Sequence, residues 1–208
     1  GFTLSGIIDT NVWQIPVAFL DFETTGLSVE AGDRVVKVAI IRGQNLLDPN
    51  PTRYERLVQP GMAVPKTSFD IHGIDDDMLS DAPIFADLLP DVQTLLSDAL
   101  VIAHHAPFDV GFLKAECAYA GVPPVKVGPV LDTLKLARAL FGFPSCGLSS
   151  LADRMNVPLT NHHRALADCT ATFEVCVRML ECIDPTHRLT VNMLNQRIKE
   201  MTHGGAMR

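Results

Sequence analysis

A mixed α/β fold is what this sequence predicts, from two changes of pattern along it. Three strand-like segments, the second of them β-branched, come first and are joined by short turns, as in an antiparallel meander. Helix-like and strand-like segments then alternate, as in a sheet whose later strands run parallel. A third observation gives that sheet a purpose. Its first strand ends in Asp21-Phe22-Glu23-Thr24-Thr25-Gly26, with two carboxylates on alternate residues.

The first strand is Val17–Phe22. The second is Val35–Ile41, entered through Ala31-Gly32-Asp33, and the third is Tyr54–Gln59, closed by Pro60-Gly61. The region 84–96 has helical spacing, and Leu100–Ala103 is a short buried strand. Pro107 opens the next helix at a favourable first-turn position, with Val110, Leu113 and Cys117 as its apolar stripe. Val130-Leu131 is a brief strand, after which Asp132 can cap a helix over Thr133–Leu140. Leu148–Met155 is a short helix, and the last strong helix spans Ala165–Cys182. The sum is one mixed five-stranded sheet with helices on both faces. Residues 1–15 read as an N-terminal extension and 16–184 as the single domain. Residues 185–208 read as a short amphipathic helix with a frayed tail, ending His203-Gly204-Gly205.

The chain has 208 residues, is 47% hydrophobic and carries a net charge of -7. That suits one packed domain and gives no global signal of a duplex-coating protein. Five cysteines, an odd number without a CxxC pair, argue against a disulfide framework and fit a reducing cytoplasm. No apolar run is long enough to span a membrane, and no secretory signal is visible. The chain opens at Gly1 rather than Met, as a fragment would.

Side chains alternate across a strand, so Asp21 and Glu23 share a face. Like charges at ~4 Å repel by about 4 kcal/mol at an effective dielectric near 20. Such a pair needs a cation, and a hard divalent ion suits oxygen ligands. Two more acids stand near element ends. Asp109 is in the first turn after the fourth strand, and Asp168 is early in the last helix. Strand ends and helix starts converge at one edge of an open α/β sheet, so the four acids can meet. His163 lies five residues before Asp168, about 140° away on an ideal helix, so it belongs to the preceding loop. There it can accept a proton from water.

Asp21-Phe22-Glu23-Thr24-Thr25-Gly26, His104-His105-Ala106-Pro107-Phe108-Asp109 and His163-Arg164-Ala165-Leu166-Ala167-Asp168 together resemble the three motifs of the DEDDh exonuclease family. The group includes the proofreading epsilon subunit of bacterial DNA polymerase III. Asp132-Thr133-Leu134 and Phe69-Asp70-Ile71-His72-Gly73-Ile74 are similar to its accessory segments. The resemblance implies a ribonuclease H-like fold and 3′-to-5′ exonuclease chemistry. It implies that Asp21, Glu23, Asp109 and Asp168 hold two divalent ions, Mg2+ or Mn2+, with His163 as general base. It places Thr24, Thr25, Gly26, His72 and Phe108 against the substrate. Two positions depart from the pattern: His105 stands where the family usually has Asn, and Lys37 where it often has an acid.

The expected partner is a single-stranded DNA 3′ end, with a DNA polymerase as a further partner that the resemblance implies. RNA trimming by the same motifs is the main competing reading. A catalytically silent nucleic-acid-binding module and a zinc hydrolase acting on small phosphates are the others. Lys114, Lys126, Lys135, Arg138 and Arg164 offer a local basic rim. The short stretch after the last helix favours a stand-alone or truncated exonuclease over a complete proofreading subunit.

Overall fold

The computed structural model describes residue 6, residues 8–160 and residues 162–206, with side chains through Thr202. Five strands form one sheet: β1 (Val17–Thr24), β2 (Val35–Gly43), β3 (Thr52–Leu57), β4 (Leu100–Ala103) and β5 (Val130–Asp132). Their order is β3-β2-β1-β4-β5. The first three pair antiparallel, and β1, β4 and β5 pair parallel. The expected meander and the expected crossovers therefore meet at β1, the central strand.

Alternation along β1 builds both halves of the core. Val17 and Phe19 face one side with Ala39, Ile41 and Ile102, where the long helix α7 (Ala165–Ile183) packs through Cys169, Cys176 and Met179. Ala18, Leu20 and Phe22 face the other side. There they meet α3 (Phe85–Leu96) and α4 (Ala106–Tyr119), through Phe85, Val92, Phe112 and Cys117. Asp21 and Glu23 thus continue the α7 face of the strand.

Two helices escaped the sequence reading: α1 (Lys66–His72) and α2 (Asp76–Leu79). Both are short, and neither has an apolar stripe long enough to register as helical. The segment expected as a helix over 133–140 is α5 (Thr133–Leu136) followed by a π-helical turn at Ala137–Phe141, closed by Gly142. The widened turn packs against the C-terminal helix α8 (Val191–Ala206), a context no local pattern encodes. Helix α6 (Leu148–Arg154) follows the expected bounds. Helix α8 is longer than expected and runs through the tail His203-Gly204-Gly205. Leu194 and Ile198 anchor it to the core.

The expected N-terminal extension lies partly outside the described residues. Its described end is packed: Val12, Trp13 and Ile15 are buried in the core. Trp13 donates its indole N–H to Asp184 at 2.8 Å and stacks on His187. Asn11 bridges to Thr190. These contacts tie the chain's entry to its exit from α7. Among the described residues no helix is long and apolar enough to cross a membrane.

Candidate active site

Strand β4 pairs with β1 only as far as Phe19 opposite Ile102. Beyond that point β1 has free edge amides, which need acceptors. Asp109, in the first turn of α4, supplies one: its Oδ1 accepts from the Phe22 N–H at 3.1 Å. The buried carboxylate therefore locks α4 to the strand that carries Asp21 and Glu23.

The opposite wall comes from α7. The Glu55 carboxylate on β3 accepts from the Leu166 N–H at 3.2 Å and so caps the helix start. Glu55 also pairs with Lys37 at 3.3 Å, and Lys37 stands across the ladder from Glu23. This departure from the family pattern thus places a fixed ammonium beside the acidic pair. Asp168 then reaches back to the loop, accepting from the His163 N–H at 3.1 Å and bonding His162 Nδ1 at 3.0 Å. His163 has φ 64°, a left-handed conformation, and stacks on His162 at 3.8 Å between ring centroids. The loop position expected for His163 is the observed one.

One oxygen each from Asp21, Glu23 and Asp168 falls within a span of 4.8 Å. Asp109 is outside this trio but acts on Asp21 electrostatically. Burial, the largest cause, pushes Asp21, Asp109 and Asp168 above the usual carboxylate range. Asp109, Glu23 and Asp168 add repulsion at Asp21. Glu23 rises to about 8, mainly through burial and then the Asp168 charge, with Lys37 partly opposing. A set of crowded, desolvated acids of this kind is stabilised by a cation. The residues present fit a divalent ion on their donor chemistry.

The acids open into a cleft of about 610 Å3. Asp21, Glu23, Thr24, Gly26, His72, Phe108, His163 and Asp168 all line it. Thr25 does not: it is buried, accepts from the Arg34 N–H and bonds Asp33 at 3.0 Å. Asp33 also explains Gly26, because a Cβ there would collide with the Asp33 carboxylate. His72 is buried, with Nδ1 accepting from the Ile74 N–H at 3.1 Å. Its Nε2 must then carry the proton donated to the Thr24 carbonyl at 3.0 Å. Both nitrogens are used, so His72 shapes the cleft as a clamp. Ser68 and Arg164 add hydrogen bonds to the Thr25 and His72 carbonyls. Arg164, one of the expected rim cations, is thereby committed to α1, while Lys135 lines a different cavity.

Three functional candidates were missed. Leu27 is 83% exposed and Ile71 53% exposed, and both line the cleft. Their signal was an apolar residue directly after Gly26 and another beside His72. The third is His162, whose signal was adjacency to His163. His105, where the family usually has Asn, has φ 67° at the start of α4. The site demands a left-handed residue, which Asn and His both tolerate better than most. Asp132 fixes that turn as a cap, accepting from the His105 and Leu134 N–H groups at 2.9 Å each.

A sequence profile of the exonuclease family matches residues 18–176. This chain belongs to that family. The chain is 37% identical over 168 residues to the PolC-type DNA polymerase III of Oceanobacillus iheyensis, covering 79% of this chain. The PolC-type polymerase of Bacillus subtilis is 36% identical over 166 residues, covering 77% of this chain. The chain spans 11% of the length of each of these relatives. Among solved structures, exonuclease X in complex with 5′ overhanging duplex DNA superposes with a TM-score of 0.66 at 23% identity. That match covers 87% of this chain and 99% of the other. The nuclease domain of 3′hExo, a DEDDh family member bound to rAMP, gives 0.70 at 16% identity, covering 83% and 95%. The fold is ribonuclease H-like, as expected, and the family is one of divalent-metal-dependent nucleases.

Proposed function

We propose that this exonuclease domain removes nucleoside monophosphates from the 3′ end of single-stranded DNA. The observation that carries the reading is the trio of Asp21, Glu23 and Asp168 at the base of an open cleft with His163 at its side. Asp21, Glu23 and Asp168, with Asp109 behind them, would hold two divalent ions, Mg2+ or Mn2+. When bound, such ions supply Lewis acidity and charge stabilisation at the scissile phosphate. His163 accepts the proton of the attacking water. Burial and the neighbouring His162 lower its pKa, which keeps the imidazole neutral and basic near pH ~7. Leu27 and Ile71 give the terminal base an apolar seat, with Phe108 beside it. The clamped Thr24 backbone and Gly26 leave room for the sugar. Asp168 holds His163 by its backbone amide, so one carboxylate would position both a metal and the base.

The PolC-type relatives support DNA over RNA and support association with a polymerase. Digestion of matched 5′-labelled single-stranded DNA and RNA with Mg2+ tests all of this together. The expected result is a DNA ladder that shortens while keeping its label, with RNA slower. Loss of the label at once would reverse the polarity. Faster RNA cleavage would transfer the reading to RNA trimming. No cleavage of either substrate with Mg2+ or Mn2+ would leave a silent binding module.

A further inference from the structure

A second cavity, of about 510 Å3, lies on the other side of the first turn of α4 from the acidic cleft. The two are neighbours in sequence: Phe108 lines the cleft, while Ala106, Pro107 and Val110 line the second cavity. The apolar floor is completed by Val130 of β5 and Ile198 of α8. Its rim carries Lys135 and Lys199. Both lysines are exposed, and neither has an ion-pair partner among the described residues. The one carboxylate in the lining, Asp132, has an oxygen committed to two backbone N–H groups. In a chain of net charge -7, two unpaired ammonium groups over one apolar hollow form a local exception.

An apolar floor with cations at its edge matches the chemistry of a nucleotide, a flat base beside an anionic phosphate. A helix with its side chains is about 10–12 Å across. A strand whose 3′ end sits in the acidic cleft can therefore reach the second cavity by crossing a single helical turn. We infer, on the single-strand reading above, that this cavity binds an upstream nucleotide of the same strand. Its base lies on Pro107, Val110 and Ile198, and its phosphate meets Lys135 and Lys199. Helix α8, which follows the matched exonuclease segment, thereby becomes part of the substrate track.

The test compares wild type with a K135Q/K199Q double variant on a thymidine dinucleotide and on a dT strand of about ten nucleotides. The dinucleotide is too short to reach the cavity, so its kcat and KM are expected to match wild type. For the longer strand, KM is expected to rise roughly tenfold at about 0.1 M salt. The slope of log KM against log salt should fall in magnitude by about 1.4, from two contacts at ~0.7 each on a single strand. An unchanged KM and slope on the longer strand overturn the inference. An equal rise in KM on both substrates also overturns it, because the lysines would then act at the cleft. If wild type cleaves neither, the single-strand reading itself fails, an outcome distinct from both.

Discussion

Helix α4 carries two buried carboxylates two turns apart, and the fold treats them differently. Glu116 accepts a two-pronged contact from Arg34, at 2.9 and 2.8 Å, and a third bond from the Val35 N–H at 3.2 Å. The Arg34 guanidinium also lies over the Tyr119 ring at 3.9 Å. That end of α4 is electrostatically closed. Asp109, at the other end, has the Phe22 amide but no side-chain cation among the described residues, and it faces Asp21. The chain provides its own counter-ion where the acid holds a loop. Where Asp21, Glu23 and Asp168 crowd together, no Lys or Arg ion-pairs with them among the described residues, and Lys37 is held by Glu55. Lys37 and Arg164 soften the crowding at Glu23 without relieving it, since Glu23 still rises to about 8. On the proposed function, the contrast separates a structural acid from acids that would hold a metal.

The largest way to test that contrast is to remove acids from the open end. Asp21→Ala or Asp168→Ala is expected to lower cleavage by on the order of 10³-fold or more, through lost metal coordination and phosphate stabilisation. Melting in EDTA should show that the variants stay folded and are at least as stable as wild type, because mutual repulsion has been removed. Full activity in either purified variant would end the assignment. At the closed end the pattern should invert. Glu116→Ala leaves Arg34 without its partner, and breaking a buried pair typically costs about 3–5 kcal/mol. Arg34 is partly exposed, which reduces the expected loss to roughly 2–3 kcal/mol. Denaturant melting would measure it, while the Mg2+ concentration for half-maximal activity should not move.

A third effect needs no mutation. The folded-state pKa values of Asp21, Glu23, Asp109 and Asp168 lie above their ordinary values. Above the unfolded pKa, near 4, the unfolded chain releases these protons while the folded chain keeps them. The folded state then binds more protons, so stability falls as pH rises from about 4 to about 8. Melting midpoints without divalent ions should drop across that window. Saturating Mg2+ should flatten the curve, because ion binding favours the ionised acids of the folded state. An equal slope with and without Mg2+ would mean that the acids are not ligands.

The sheet and the placement of most candidate-site residues were legible because they rest on local patterns. The β1 alternation puts Asp21 and Glu23 on one face, and the five-residue offset puts His163 in a loop. What stayed hidden depends on contacts far apart in sequence. Lys37 reads as a departure from the family pattern until Glu55 is seen to bridge it to the Leu166 amide. No local pattern marks Glu116; its partner Arg34 arrives from the β1–β2 loop. Thr25 sat inside the expected substrate motif, yet the register break after Glu23 and the bend beyond β1 turn it towards Asp33. Leu27 is an exposed apolar residue, and only the cleft beside it gives that exposure a use.

The smallest expected effect concerns the pair of histidines at the open end. His162 bonds Asp168 and stacks on His163, and its charge is one cause of the lowered His163 pKa. Asp168 acts in the opposite direction on the same ring. A general base must be unprotonated to work, so activity should fall as pH drops through the His163 pKa. Because that pKa is lowered, the acid limb of kcat/KM should lie below about 6.5 when Mg2+ saturates. His162→Ala removes the repelling ring and leaves Asp168 free to favour the imidazolium. The acid limb should then move up, with the plateau rate much less affected. His163→Ala should instead lower the plateau, by about 10²–10⁴-fold if the ring transfers the proton. A limb that ignores His162 but vanishes with His163 would retain the base and remove its tuning by the neighbour. A His163→Ala variant with wild-type rates would move proton transfer away from this loop altogether.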